Sequence, residues 1–280
     1  METLKLLFSL SLCVLASVAA QSHDATQYGH KRSHDGPPYG LADDFESGSI
    51  LSTQEGGIWK PCGSTYQRWV CGHITATDAV ARGGKYSANI TIQPGDTYQD
   101  DGVDNPTERD ELDSGIWVQE GLDVWYGWSF MLPTDFVSTS DRYVMTQWKQ
   151  NGKVTSNQSP VLGLRYMSGD WFLTIRLEEW AEKGEQIVYT LPALKLGKWT
   201  DMIVNVNFSP DPRVGHMYAY VNGYLSAIHV GRTAYANPAG SSSFYNKLGI
   251  YRDAYNTSWT MFLDNYKVGQ SYDEVDPSTY

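Results

Sequence analysis

The chain has 280 residues, and its 21 Lys and Arg against 32 Asp and Glu give a formal net charge of −11 at pH 7. An acidic surface repels nucleic acid and anionic lipid, so both are poor partner classes. Beyond residue 20, no stretch approaches the ~20 apolar residues that a membrane-spanning helix needs.

Met1 to Lys5 is a basic start, Leu6 to Val18 an apolar run, and Val18-Ala19-Ala20 a small-residue cleavage pattern. Residues 1–20 therefore read as a signal peptide, and the protein is expected to be secreted, extracellular and soluble. Residues 21–40 are polar and rich in His and Gly, without hydrophobic periodicity. They form a disordered tail, or a pro-segment released at Lys31-Arg32. Residues 41–280 have the size of one all-β domain. Cys13 leaves with the leader, so Cys62 and Cys71 are the thiols that remain. In an oxidising compartment they are expected to form one disulfide bracing a local loop. Two cysteines without a nearby second pair argue against structural zinc.

Strand signals then recur along the chain. Leu41 to Phe45 opens the domain, and Tyr86 to Ile92 follows Gly83-Gly84. Ile116 to Gln119, Val124 to Met131 and Arg142 to Lys149 are short aromatic and β-branched runs. Val161 to Tyr166 and Trp171 to Leu177 flank the turn at Ser168-Gly-Asp170. Glu178 to Gly184 reads as a single helical turn. Trp199 to Phe208 ends at Ser209-Pro-Asp-Pro212. His216 to Val221 and Tyr224 to Val230 flank Asn222-Gly223, which suits a type I′ hairpin. Tyr245 to Arg252 and Trp259 to Val268 close the domain. Many short strands with regular turns predict an all-β, antiparallel two-sheet β-jelly roll sandwich with a concave cleft. Ten Trp and nineteen Tyr offer flat apolar area with polar edges, in the core or against sugar rings. Carbohydrate is thus the expected partner, and the protein is expected to act as a monomer.

Three segments carry polar residues on one strand face. In Tyr245 to Arg252, Leu248 and Ile250 point one way, while Tyr245, Lys247 and Tyr251 point the other, with Gly249 a gap in their row. Arg109 and Glu111 share a face if Glu108 to Leu112 is extended. Gln147 and Lys149 share one in Thr146 to Gln150. Each also has a plainer role: a surface ion pair for Arg109 and Glu111, which is worth little, or a solvated strand residue for Gln147.

As a set, Arg109-Asp-Glu-Leu112, Gln147-Trp-Lys149 and Tyr245-Asn-Lys-Leu-Gly-Ile-Tyr251 resemble the Arg-x-Glu-Leu, Gln-x-His and Tyr-Phe-Lys-x-Gly-x-Tyr motifs of the family 7 alginate lyases. The wider layout is more similar to the heparin-lyase-I-like group, and within it to the glucuronan lyases of polysaccharide lyase family 20. Gly84-Lys-Tyr-Ser87, Tyr126 to Pro133, Gly197-Lys-Trp-Thr200, Val221-Asn-Gly223 and Leu263-Asp-Asn265 carry that likeness, over most of residues 41–270. Two positions depart from family 7. Lys149 stands in place of the histidine, with His73 the candidate to take over its role, and Asn246 replaces the Phe.

The resemblance implies a polysaccharide lyase acting on a β-1,4-linked uronic acid polymer, glucuronan first and alginate second. It implies Tyr251 as base and acid, with Arg109, Gln147 and either His73 or Lys149 neutralising the C5 carboxylate. Lys149, Lys247, Tyr245, Glu111 and Arg165 would contact the substrate, and Gly249 would let the sugar approach. A phenol ionises near pH ~10 in isolation, so a tyrosine base needs cations beside it. The resemblance also implies one structural Ca2+, with Asp264, Glu46 and the Gly84 carbonyl as expected ligands. A family 16-like glycoside hydrolase would need two carboxylates facing the scissile bond, and Glu108 to Asp113 has the wrong spacing. A non-catalytic carbohydrate-binding jelly roll would need no such set of polar residues.

Overall fold

In the computed structural model, which describes residues 39–60, 73–96, 107–137, 142–151, 159–177 and 186–279, the alternating runs become strands. The leader, most of the 21–40 tail, the expected Cys62–Cys71 disulfide and the expected turn at 178–184 lie outside the described residues. In chain order the strands are β1 (Leu41–Asp43), β2 (Ile74–Thr77), β3 (Ser87–Ile92), β4 (Thr107–Asp113) and β5 (Val118–Gln119). Next come β6 (Asp123–Met131), β7 (Tyr143–Asn151), β8 (Leu162–Met167), β9 (Asp170–Arg176) and β10 (Gln186–Thr190). The last are β11 (Thr200–Asn207), β12 (His216–Val221), β13 (Tyr224–Val230), β14 (Ser243–Asp253) and β15 (Trp259–Gly269). One short helix follows, α1 (Tyr272–Val275), capped by the Ser271 side chain, which accepts from the Glu274 N–H. Among the described residues no helix is long and apolar enough to cross a membrane.

The strands form two antiparallel sheets. The first runs β13-β12-β11-β6-β15-β3-β2, with β1 added to β15. The second runs β10-β9-β8-β7-β14-β4, with β5 added to β14. This is the two-sheet jelly-roll sandwich that the turn spacing predicts. Asn222 and Gly223 have φ of 49° and 82°, as a type I′ turn requires. Two strands escape the sequence reading. β2 is only four residues long, and β10 is an edge strand whose side chains are mostly exposed.

Most of the aromatic load lies between the sheets. Trp128 of β6 packs on Trp148 of β7 with ring centres 5.9 Å apart, and Tyr126 meets the same indole edge-on at 5.5 Å. Phe130 of β6 meets Trp171 of β9 at 5.5 Å. These rings are at most 1 % exposed, and aromatic pairs add ~0.5–1.5 kcal/mol beyond their area burial. They fix one sheet on the other and are not available to sugars.

Two inward-facing polar groups tie β14 to its neighbours. Asn246, fully buried, accepts from Ser114 Oγ at 2.5 Å and from the Tyr266 hydroxyl at 2.9 Å. Arg252, also fully buried, donates through Nε to Glu108 Oε2 at 2.7 Å and lies 4.5 Å from the Trp259 ring centre. Losing one partner of such a pair leaves an uncompensated buried charge, which costs about 3–5 kcal/mol. With Phe244, Leu248 and Ile250 in the core, the other face of β14 is left for chemistry.

Candidate active site

The outer face of the second sheet carries the polar residues. Because alternate residues share a face, the residues opposite the core of β4, β14, β7 and β8 line up in rows across the strands. One row runs Arg109, Tyr251, Val144 and Arg165. The next runs Asp113, Lys247, Gln147 and Gly163. Tyr245 and Lys149 pair beyond it.

Tyr251 is the centre of the first row. The Arg109 guanidinium lies 4.3 Å from its ring centre on the β4 side, and that of Arg142 lies 5.0 Å away on the β7 side. Arg142 is fixed by Asp253, which accepts from its backbone N–H at 3.2 Å and from its guanidinium. Arg165 donates through Nε to Thr174 Oγ1 at 3.0 Å and packs beside Gly163. Burial draws the Arg165 guanidinium down to about 10, helped by the positive charges of Arg176 and Arg142 and opposed by Tyr251. It therefore remains a cation at neutral pH.

The second row is an alternation of charge. Gln147 donates through Nε2 to Glu111 Oε1, and Glu111 itself is only 2 % exposed. Gln147 is 3 % exposed, so the two side chains are buried together on this face. Lys247 is 3.8 Å from Asp113, which also pairs with Lys60 at 2.8 Å. Burial lowers the Lys247 ammonium to about 8, against the pull of Glu111 and Asp113 and with the push of Lys149 and Arg109. Burial likewise raises Asp113, with Lys247 and Lys60 opposing. Tyr245 stands as a side wall, 4.8 Å from the Trp117 ring and 4.7 Å from Lys60 Nζ.

One expectation changes. Gly249 does not open space for a sugar: its φ is +144°, and a Cβ there would lie 2.4 Å from the Asp110 backbone oxygen. The glycine is demanded by the irregularity in the β14–β7 pairing between Leu248 and Tyr251 and by the closeness of β4. His73 is joined through Nδ1 to Asp96 Oδ2 at 2.9 Å, and the Asp96 carbonyl accepts from Arg109 N–H at 3.1 Å. Asp96 thus joins it to the β4 backbone at Arg109; among the described residues no hydrogen bond is recorded between it and Tyr251 or Gln147. Lys149 lies across from Tyr245, two pairing steps past Gln147, and its charge is felt at Lys247.

Sequence reasoning misses Arg142, and the reason is geometric. Counting back from Lys149 in twos puts residue 142 on the core face. The irregularity between Val144 and Thr146 reverses that parity and brings Arg142 over Tyr251. Trp117 and Lys60 are missed because they come from loop and short-strand segments with no motif.

Glu46, Gly84 and Asp264 do come together, away from this face. Glu46 Oε1 accepts from the N–H groups of Lys85 and Tyr86 at 2.8 and 2.7 Å. Asp264 accepts from Arg82, Gly83 and Asn265 N–H groups at 2.7, 3.3 and 2.8 Å. Gly84, at φ +58°, closes on the Glu46 carboxyl, where a Cβ would lie 2.4 Å away. Burial raises Asp264 to about 6 despite those N–H bonds, and the Glu46 charge adds to the rise. Both carboxylates are hard oxygen donors of the type calcium takes, and the oxygens named here accept backbone N–H bonds. No group of three or more His, Cys, Asp or Glu that could hold a metal occurs among the described residues.

Similar solved structures include an endo-β-1,4-glucuronan lyase from the fungus Trichoderma reesei, with TM-score 0.60 and 16 % identity over 79 % of this chain and 95 % of that one. The family 7 alginate lyase A1-II′ gives TM-score 0.52 and 14 % identity over 71 % and 84 %. A variant of the alginate lyase Aly36B in complex with an alginate tetrasaccharide gives 0.53 and 12 % over 84 % and 98 %. At these identities the likeness establishes the jelly-roll fold. No curated protein sequence matches the chain. A family model described as polysaccharide lyase matches residues 46–267, and on that match the chain belongs to the polysaccharide lyase family.

Proposed function

We propose that the protein cleaves a β-1,4-linked uronic acid polymer by β-elimination on the outer face of the second sheet, with glucuronan as the first substrate and alginate as the second. The observation that carries this reading is Tyr251 set between the guanidiniums of Arg109 and Arg142, with Gln147 in the adjacent row. The similarity to the glucuronan lyase structure supports the order of substrates.

The C5 proton of a uronate is hardly acidic while the neighbouring carboxylate is charged, because its loss adds a second negative charge. Arg109 offers a forked pair of donors to that carboxylate. Gln147 offers its remaining amide N–H, since Glu111 holds the other. Arg165 adds a cation beside Gln147. These groups stabilise the charge that develops on the carboxylate. Tyr251, as phenolate, takes the C5 proton. The C5–H electron pair becomes the C4=C5 double bond, the C4–O bond breaks, and the phenol returns its proton to the leaving oxygen. No water is consumed.

A structural Ca2+ held by Glu46 and Asp264 belongs to the same reading and would brace the 82–86 turn without entering the reaction. Secretion is part of the proposal, resting on residues 1–20. The test is to incubate the protein with glucuronan, alginate and heparin and follow the ultraviolet absorbance of the new C4=C5 bond. Absorbance with glucuronan and its loss in Tyr251→Phe is the expected result. No absorbance with any uronate polymer, with reducing ends released from a neutral glucan, sinks the lyase reading.

A further inference from the structure

The Gln-x-Lys departure leaves open which cation does the work of the missing histidine. His73 faces Asp96, and Lys149 faces Tyr245. The groups that surround Tyr251 are Arg109 from β4, Arg142 at the start of β7, Arg165 from β8, and Asp253 two residues further along β14. The Arg142 side chain is clamped to the strand that carries Tyr251. The Asp253 N–H donates to the Arg142 carbonyl at 3.3 Å, the Arg142 N–H donates to Asp253 Oδ2 at 3.2 Å, and the guanidinium bonds the other carboxylate oxygen. Its side chain is 30 % exposed and that of Asp253 35 %, so the clamp is at the open surface of the site.

Resting on the lyase reading above, we propose that Arg142, aimed by Asp253, is the second cation on Tyr251 and promotes its ionisation during elimination. A cation over an aromatic face is held by the ring's quadrupole, and the attraction grows when the ring becomes a phenolate, because a full negative charge then faces the guanidinium. Arg109 must at the same time receive the substrate carboxylate, which partly neutralises it. Arg142 is the cation whose charge stays with Tyr251 once substrate is bound. Arg142 and Asp253 are positioning residues: neither is asked to exchange a proton.

The experiment uses the full chain on glucuronan, or on whichever uronate polymer gives absorbance, with Arg142→Ala, Arg142→Lys and Asp253→Asn. Arg142→Ala is expected to lower kcat on the order of tenfold and to move the rise of kcat with pH to higher pH, with KM changed less. Arg142→Lys, which keeps the charge, recovers part of the rate and of the pH profile. Asp253→Asn shifts both in the same direction as Arg142→Ala, by less. A folded Arg142→Ala with the wild-type kcat and pH profile overturns the proposal. If that variant does not fold, wild-type profiles in both Arg142→Lys and Asp253→Asn overturn it instead. A wild-type protein inactive on every uronate polymer removes the lyase reading and this proposal with it. An active wild type with an indifferent Arg142→Ala removes this proposal alone.

Discussion

The Arg109 guanidinium sits 4.3 Å from the centre of the Tyr251 ring, and the two residues are direct partners across the β4–β14 ladder. Backbone pairing therefore sets their distance, and the forked cation can face the phenol and a bound carboxylate together. Lysine keeps the charge but has neither the planar fork nor the stacking surface. Arg109→Lys should lower kcat about 100-fold, the scale of losing one well-placed donor to developing charge. Steady-state kinetics at saturating polymer, with circular dichroism as a folding control, checks this. A loss confined to KM would show that Arg109 binds substrate equally before and during the elimination.

Glu111 acts through Gln147. Its Oε1 accepts the Gln147 amide, and its charge is one of those that hold the Lys247 proton against burial. Glu111→Gln should leave the amide able to rotate and Lys247 more easily deprotonated. The expected result is kcat down by about tenfold or more, as for loss of an orienting partner, with KM within a few-fold. The sharper readout is the pH dependence of activity. In the wild type Lys247 loses its charge near 8. In Glu111→Gln the alkaline decline should begin at lower pH. An unchanged alkaline limb would disconnect Glu111 from the ammonium.

Gly249 has a structural task that no other residue fills. Its φ of +144° is outside what side chains adopt readily, and the nearest atom to an added Cβ is backbone of β4 at 2.4 Å. Gly249→Ala should destabilise the fold by at least about 1–3 kcal/mol, read as a lower urea midpoint with an unchanged slope. Activity should fall further than stability explains, because β4 carries Arg109 and would be pushed from β14. Full activity and stability in Gly249→Ala would falsify the close β4–β14 approach.

The jelly roll was legible because strand alternation and turn residues are local signals: Asn222-Gly223, for example, turns as its dipeptide demands. The polar face was legible because side chains alternate along each strand. Tyr245, Lys247 and Tyr251 share it, as do Gln147 and Lys149, and Arg109 aligns with Tyr251. What lay beyond the sequence depends on irregular pairing and on distance between segments. One irregularity in β7 brings Arg142 to Tyr251 against simple parity, and another in β14 turns Gly249 from clearance into necessity. Nothing in the spacing of His73 shows that its partner is Asp96. Burial was the other hidden quantity, since Glu111 reads as a surface carboxylate in the sequence and is 2 % exposed in the structure.

Asp110 links this site to the pH dependence of folding. It points to the core side of β4 between Arg109 and Glu111, is 1 % exposed, and its Oδ2 has no hydrogen-bond partner among the described residues. Burial first, then the charges of Asp96 and Glu111, raises its carboxyl from 3.8 to about 8. A carboxyl whose folded value lies above its unfolded one favours folding only while it stays protonated. Its penalty is absent below about pH 4, grows as pH rises, and is complete above about pH 8. Asp110→Asn keeps the shape and removes the charge. The variant should therefore match the wild type near pH 4 and become more stable than it toward pH 8, by a few kcal/mol. In thermal melts that is a Tm difference widening to roughly 5 °C or more. A difference that stays constant from pH 4 to pH 8 would show that Asp110 does not titrate in this window in the folded protein. The expected slope would instead mean that β4, and Arg109 with it, is held most firmly at acid pH.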